Sequence, residues 1–144
     1  MTNGVVARAR RVLADQGGAA AVEFAVVAPF LAAVLAGVVQ YAGMTMAFER
    51  MHDAVSSGAV YVMRGGSSAT TIHDLTVSAW STPPGDAAVT VTQACSCAGT
   101  VGTCSTLCAD ASYPQSFTTI TATATYSGLW GSKAMSTTQT VRTQ

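Results

Sequence analysis

Gly17-Gly18-Ala19-Ala20-Ala21-Val22-Glu23-Phe24-Ala25-Val26-Val27-Ala28-Pro29-Phe30 opens an apolar run that continues to Phe48. Glu23 sits at its start, and from Phe24 to Phe48 there are twenty-five residues without a formal charge. A membrane helix needs about twenty such residues at 1.5 Å rise, so the run is long enough to span with some tilt. A carboxylate at its edge is costly, because hydrocarbon offers neither water nor a counter-ion, and an ionisable group there needs a named partner. The rest of the chain is read outward from this stretch.

Upstream, Arg8, Arg10 and Arg11 are opposed only by Asp15. The positive-inside rule places this flank in the cytoplasm and the chain after about residue 45 outside: a single-pass inner-membrane protein, N-terminus cytoplasmic and C-terminus periplasmic. A cleaved secretory signal is the plainer alternative, but such signals have apolar cores of about 7–15 residues ending at a small-residue cleavage site. This run is longer. Within it, Pro29 removes a helical hydrogen bond and predicts a kink or an opened turn. Ala21, Ala25, Ala28, Ala32 and Ala36 recur at helical spacing, a pattern that lets another backbone approach closely.

Composition narrows the function classes. Only 10% of the 144 residues are charged and the formal net charge is zero, whereas soluble domains are about a quarter charged. Loss of residues 1–18 takes three of the seven basic side chains and one of the seven acidic ones, leaving four against six. No basic surface remains for nucleic acid. No nucleophile–base pair, metal cluster or phosphate loop emerges, so the chain reads as non-enzymatic and without a cofactor. Glu49, His52 and Asp53 share about one helical turn, but nothing else in the sequence joins them, and they read as a solvated helix face.

The residues around Gly18 resemble the class III (prepilin) signal of type IV pilins and pseudopilins. In that family a prepilin peptidase cuts after a glycine, and a glutamate stands fifth in the mature chain. Gly18 matches the residue before the cut, Ala19 the new N-terminus, and Glu23 the fifth position. More closely, Gly18-Ala19-Ala20-Ala21-Val22-Glu23-Phe24-Ala25-Val26-Val27-Ala28-Pro29 is similar to the opening of TadE-like minor pilins of the tight-adherence (Tad, Flp-type) branch of type IV pili. The resemblance implies a minor pilin acting in assembly of an adhesive Tad-type pilus. Its implied partners are the peptidase, other pilin and minor pilin subunits, the Tad assembly platform and the inner membrane. It also implies that the freed amine of Ala19 pairs with the Glu23 of a neighbouring subunit and so sets register. A type II secretion pseudopilin, or a single-pass anchor displaying an exported module, are the competing readings.

Beyond Gln40, Tyr41, Met44, Phe48, Met51, Val55, Ala59 and Val62 step by three and four, the apolar face of an amphipathic helix. Gly65-Gly66 stops it. One helix over 19–64, about 70 Å long by its rise, with about 24–45 transmembrane, follows a leader over 1–18 and precedes a periplasmic head over 65–144. In the head, Thr71-Ile72-His73-Asp74 reads as a capping-box variant opening a short helix, with His73 on its surface and Trp80 an anchor against the main helix. The short helix ends near Thr82-Pro83-Pro84-Gly85. Alternation over 88–92, 117–126 and 134–142 predicts three strands of an antiparallel meander, the last two joined by Ser127-Gly128-Leu129-Trp130-Gly131. The fold class is α+β: a long pilin-like helix packed by a small β-sheet stapled through disulfides.

Those staples are Cys95, Cys97, Cys104 and Cys108. Their spacing lacks paired C-x2-C units and no histidine lies nearby, which argues against zinc. An exported region is oxidising, which favours two disulfides. Of the three connectivities, the nested one, Cys97–Cys104 inside Cys95–Cys108, closes the loop like a hairpin and is preferred. A cysteine-containing loop between strands is also what the TadE-like resemblance implies.

Overall fold

The computed structural model describes residues 17–143. Residues 1–16 of the leader, including Arg8, Arg10, Arg11 and Asp15, lie outside them. Helix α1, Gly17–Met63, is followed by helix α2, Ala69–Ala79, and strands β1, Ala88–Cys97, β2, Thr100–Gly102, β3, Gln115–Gly128, and β4, Gly131–Arg142. The chain divides between Tyr41 and Ala42 into two units, and α1 runs through the division. The expected α+β architecture, a long helix with a small disulfide-linked antiparallel sheet, is what the structure shows.

The first unit, through Tyr41, is helix alone among the described residues. The helix continues without interruption through Pro29, and Phe24, Phe30 and Leu35 are all exposed.

In the second unit, the end of α1 follows from its two glycines. Gly65 adopts φ 93°, its N–H donates to the Val62 carbonyl at 2.9 Å, and the Gly66 N–H donates to the Tyr61 carbonyl at 3.0 Å. Together these bonds form a Schellman motif, which satisfies two carbonyls that the last turn leaves open. Helix α2 begins earlier than the capping-box reading placed it. Ser68 is the N-cap: its hydroxyl accepts from the Thr71 N–H at 3.3 Å and from the Thr71 hydroxyl at 3.0 Å. Ser68 provides the preferred N-cap hydroxyl one turn upstream, so Thr71 falls at the third helical position.

The sheet has four strands, in the order β2-β1-β3-β4, all antiparallel. The strand absent from the sequence reading is β2, three residues too short to show alternation. It exists because Ala98 and Gly99 both take positive φ, 50° and 87°, the two-residue hairpin turn whose twist matches paired strands. The β3–β4 connection is tighter than expected: Gly128 pairs with Gly131, leaving Leu129-Trp130 as the loop.

Alternation sorts the two sheet faces. Thr118, Ile120, Ala122 and Ala124 of β3 and Met135 and Thr137 of β4 point inward and are buried. Ile120, Ala122, Ala124 and Met135 join Met51, Ala54, Val55, Ala59 and Val62 of α1, Ile72 of α2, and Trp80 in one apolar cluster, so Trp80 does anchor in the core. Of the predicted helix face, Tyr41 and Phe48 are exposed. The buried stripe passes instead through the half-buried Met44 and Ala47 to Met51, centred about 60° away from Phe48 around the helix. Small residues line the close approach. A Cβ on Gly58 would run into the Thr76 hydroxyl and lie 3.1 Å from Ile120 Cδ1.

The outward face is threonine. Thr92, Thr119 and Thr140 form one cross-strand row, Thr90, Thr121 and Thr138 the next. The hydroxyl pairs Thr119–Thr140 and Thr121–Thr138 lie at 3.0 and 3.1 Å. β-branched residues suit an extended backbone and their hydroxyls suit water, so a Thr-rich strand is solvated on this side without losing strand preference.

Disulfides join Cys95 to Cys104 and Cys97 to Cys108, a crossed pairing rather than the nested one. The β1–β2 register explains it. Cys95 faces Gly102 and Cys97 faces Thr100. Cys104 lies two residues past Gly102, about 7 Å further along the strand direction, but four residues, about 13 Å, past Thr100. It therefore arrives beside Cys95, and the returning loop brings Cys108 to Cys97. The Cα separations are 5.1 and 5.5 Å, inside the usual disulfide range.

Candidate functional site

The residues singled out at the N-terminal end lie on one helix. Gly18 and Ala19 fall in the first turn of α1, Glu23 one turn on, and Pro29 within the same uninterrupted element. Ala19 and Glu23 are i and i+4, neighbours on one helix face, and a helical side chain leans back toward the N-terminus. The Glu23 carboxylate therefore leans toward the point where a cut after Gly18 would create an amine.

Around Glu23 the surface is apolar and uncovered. Phe24 is 69% exposed, and Val22, Val26, Val27 and Phe30 are also open. The helix over Gly18–Met63 is long and apolar enough to cross a membrane, and none of its most apolar eighteen-residue window is buried within the protein. Such a segment meets its apolar requirement outside the chain, in lipid or against other helices. Small residues at Ala21, Ala25, Ala28 and Ala32 leave room for close helix approach.

A family model described as TadE-like protein matches residues 18–60. Over that stretch the chain is similar to the TadE-like family. The match begins at Gly18 and ends inside α1, so the cysteines and strands lie beyond it. No curated protein and no solved structure matches the chain significantly. The match over residues 18–60 and the long apolar helix support a pilin-like membrane module with a single-pass anchor.

The other candidate residues separate. Glu49 and Asp53 are exposed, whereas His52 turns toward the sheet, its Nδ1 3.3 Å from Thr137 Oγ1. The His52 side chain is thus not a solvated face residue but a helix–sheet contact, half-buried because β4 packs alongside. His73 Nδ1 pairs with its neighbour Asp74 at 3.1 Å on the surface. Among the described residues no group of three or more His, Cys, Asp or Glu side chains is placed to hold a metal. A cleft of about 570 Å³ beside the Cys95–Cys104 bond is lined by Gln93, Tyr113, Phe117 and Arg142 among others, with no carboxylate, histidine or free thiol in its wall.

Two carboxylates outside the helix are held in their charged form. Asp110 accepts from the Ser112 hydroxyl at 2.6 Å and N–H at 3.1 Å, which lowers its pKa below the ordinary carboxylate value. The hydroxyl of Thr125, then its backbone N–H, do the same for Asp86. The Asp110 bonds form an Asx turn, whereas the Asp86 bonds tie the loop before β1 to β3.

Sequence reasoning missed two contacts of the helix with the sheet. Gly43 passes so close to Tyr126 that a Cβ there would lie 2.5 Å from the phenol oxygen. A glycine inside an otherwise apolar helix is the available signal, since it weakens the helix unless something approaches. The His52–Thr137 contact left no such signal.

Proposed function

We propose that this TadE-like chain is a minor pilin or pseudopilin, cut between Gly18 and Ala19 by a prepilin peptidase and used to assemble a Tad-type pilus for surface adhesion. The observation that carries the reading is the family match beginning at Gly18 on an exposed apolar helix that bears Glu23 at the fifth position after it. Residues 1–18 are then a cytoplasmic leader, 19–64 the long helix and 65–144 a periplasmic head. The arginines of the leader set this orientation. The protein acts by assembly rather than catalysis, with other pilin subunits and the assembly platform as partners.

The physics of the register is simple. The freed amine of Ala19 has a reference pKa of about 8 and is mostly charged at neutral pH. Bringing that amine and Glu23 separately into low dielectric costs several kcal/mol each, and their meeting offsets the penalty. Subunits then dock at the one axial offset that pairs them. The Ala19–Glu23 spacing within one helix offers a competing internal pairing, so the neighbour's amine must approach more closely than the helix's own. Pro29 frees one backbone carbonyl, which gives a packing neighbour a hydrogen-bond acceptor.

The intact mass of protein recovered from cells containing the peptidase tests the reading. The mature chain is expected to begin at Ala19. A start at Met1 sinks the pilin reading, and a start beyond residue 35 indicates an ordinary signal peptide. Glu23→Ala is expected to leave insertion and cleavage intact while abolishing filaments; normal pili from that variant remove the charge-pairing role.

A further inference from the structure

The second unit carries an apolar protrusion at one end of its sheet and a cleft at the other. The protrusion is the β3–β4 turn, where Leu129 and Trp130 are 74% and 67% exposed. The turn itself does not call for them. Neither has a positive φ, and Gly131, at φ 114°, supplies the left-handed residue with which such a hairpin closes. Polar residues would serve at both positions, so two adjacent large apolar side chains in water need another reason.

The cleft is the one of about 570 Å³ beside the Cys95–Cys104 bond. Its volume falls in the range of sites that enclose a ligand-sized apolar group, about 300–1,000 Å³. Val62, Cys95 and Pro114 in its wall are buried, and Tyr113 stands exposed at its edge. Arg142 is the only charged side chain among the described residues that line it, and a guanidinium is attracted to the face of an aromatic ring. Eleven residues of β3 separate Phe117, in the wall, from Gly128, at the turn, about 36 Å of strand. A copy therefore cannot fill its own cleft with its own tip.

We infer that the Leu129-Trp130 tip of one copy seats in the cleft beside the Cys95–Cys104 bond of a second copy. The occupant is this same chain because both halves of the contact are on it, one convex and one concave, at opposite ends of one sheet. Such a contact is heterologous. Each added copy still offers a tip and a cleft, so the contact repeats along the strand direction instead of closing at two. In the cleft the indole meets the rings of Tyr113 and Phe117, which pair best offset or edge to face. The tip exposes about 300 Å² of side chain, so the contact covers about 600 Å² over both copies, below the roughly 1,000 Å² of a stable specific pair. Heads alone therefore stay apart, and the contact forms where the uncovered apolar helices also hold copies together and raise their local concentration. The inference rests on the assembly reading and names the surfaces of the head that meet.

The full chain is solubilised at a low detergent-to-protein ratio, so that several copies share a micelle, with the photo-crosslinker p-benzoylphenylalanine in place of Tyr113. Equal parts of isotope-labelled and unlabelled chain identify crosslinks between copies in the mass spectra of the digest. Crosslinks are expected from position 113 of one copy to residues 129–130 of another, in a ladder of dimers, trimers and larger products. The double variant Leu129→Ser with Trp130→Ser is expected to lower that yield at least about tenfold, the scale for removing an aromatic anchor from a pocket, with the melting temperature of the head unchanged. Crosslinks between copies that map elsewhere, products that stop at dimers, or a yield indifferent to the tip variant overturn the inference. So does the absence of any crosslink between copies. The mature N-terminus and pilus formation are read separately. Pili from chains that start at Ala19 but lack this crosslink sink the contact and leave the assembly reading, whereas the crosslink in chains that start at Met1 sinks the pilin reading and leaves the contact.

Discussion

The two lengths of α1, before and after the division at Tyr41 and Ala42, both carry large apolar side chains, and those side chains meet opposite fates. Phe24, Phe30 and Leu35 stand exposed, whereas Met51, Val55 and Val62 are buried to 2% or less. Local preference does not account for the contrast, since Ala and Val recur in both lengths and both are helical. What differs is the source of the apolar surroundings. From Ala42 onward the protein supplies its own, in the inner face of the sheet and α2; before it, lipid or other subunits must do so. A helix that is hydrophobic all round is buried in something, and for the first length that something is not this chain.

The sharpest way to break this contrast is a matched pair of truncations. Met51→Ala removes a fully buried side chain from the cluster and is expected to cost about 2–5 kcal/mol of stability. Leu35→Ala, about a third of the helix away and exposed, is expected to leave that melt unchanged. The near-ultraviolet circular dichroism of Trp80 in detergent-solubilised chain reads the second unit alone. Equal losses from the two variants would falsify the division of the helix into self-packed and externally packed lengths.

The disulfides extend the contrast to covalent structure, because both lie in the second unit. Loops of nine and eleven residues give about 2.5–3 kcal/mol each on the chain-entropy model. Reductant is therefore expected to lower the melt of the head while helical ellipticity from residues 17–41 persists. The crossed pairing has its own check. The double variant Cys95→Ser with Cys104→Ser is expected to show no alkylatable thiol, and Cys95→Ser with Cys108→Ser two. The reverse result restores the nested connectivity.

How much was legible beforehand follows the same boundary. Period and composition were enough for the long helix, its Gly65-Gly66 stop and the Thr-rich strands, and the opening at Gly18 was read from its resemblance to TadE-like proteins, because each is a local pattern. The cysteines were legible as staples but not as partners: their pairing depends on where the Ala98-Gly99 turn places β2, and three residues carry no period. Phe48 was misassigned because a step-by-three-or-four template accepts either of two adjacent faces, and only the sheet selects one. His52 was read as solvated for a similar reason, since Thr137 lies 85 residues away. The roles proposed for Gly18, Ala19 and Glu23 rest on family resemblance and sequence spacing, and their proposed partner is another molecule.

A smaller effect is expected at the Ala98-Gly99 turn, which no feature of the first length of helix parallels. Ala98 holds φ 50°, a left-handed conformation that costs an ordinary L-residue about 1–2 kcal/mol. Asn enters that region more readily, and Asn-Gly is the favoured pair for this turn. Ala98→Asn is therefore expected to raise the stability of the head by about 0.5–1 kcal/mol and to move nothing else, read as a higher melting temperature in the same detergent. A fall in that temperature removes the two-residue turn as the reason β2 forms.

The smallest effect is a pH dependence, and it too belongs to the head alone. The Thr125 hydroxyl, then the Thr125 backbone N–H, stabilise the charged Asp86 carboxylate and lower its pKa from the ordinary value of 3.8. The unfolded chain then binds this proton more readily than the folded one, so stability rises with pH across the interval between the two pKa values. The contribution is fully present above the ordinary carboxylate value and is lost as pH falls through the lowered one. Asp110, shifted in the same direction by Ser112, adds a second contribution of the same sign. Asp86 is fully exposed, so solvent screens the bond and the effect is small. Melts of the unmodified chain between pH 5 and pH 2, compared with Asp86→Asn, are expected to show a shallower acid-side decline in the variant, with Thr125→Val behaving alike. Identical slopes would mean that the Asp86–Thr125 bond does not persist in solution, and the loop leading into β1 would lose the contact that ties it to β3.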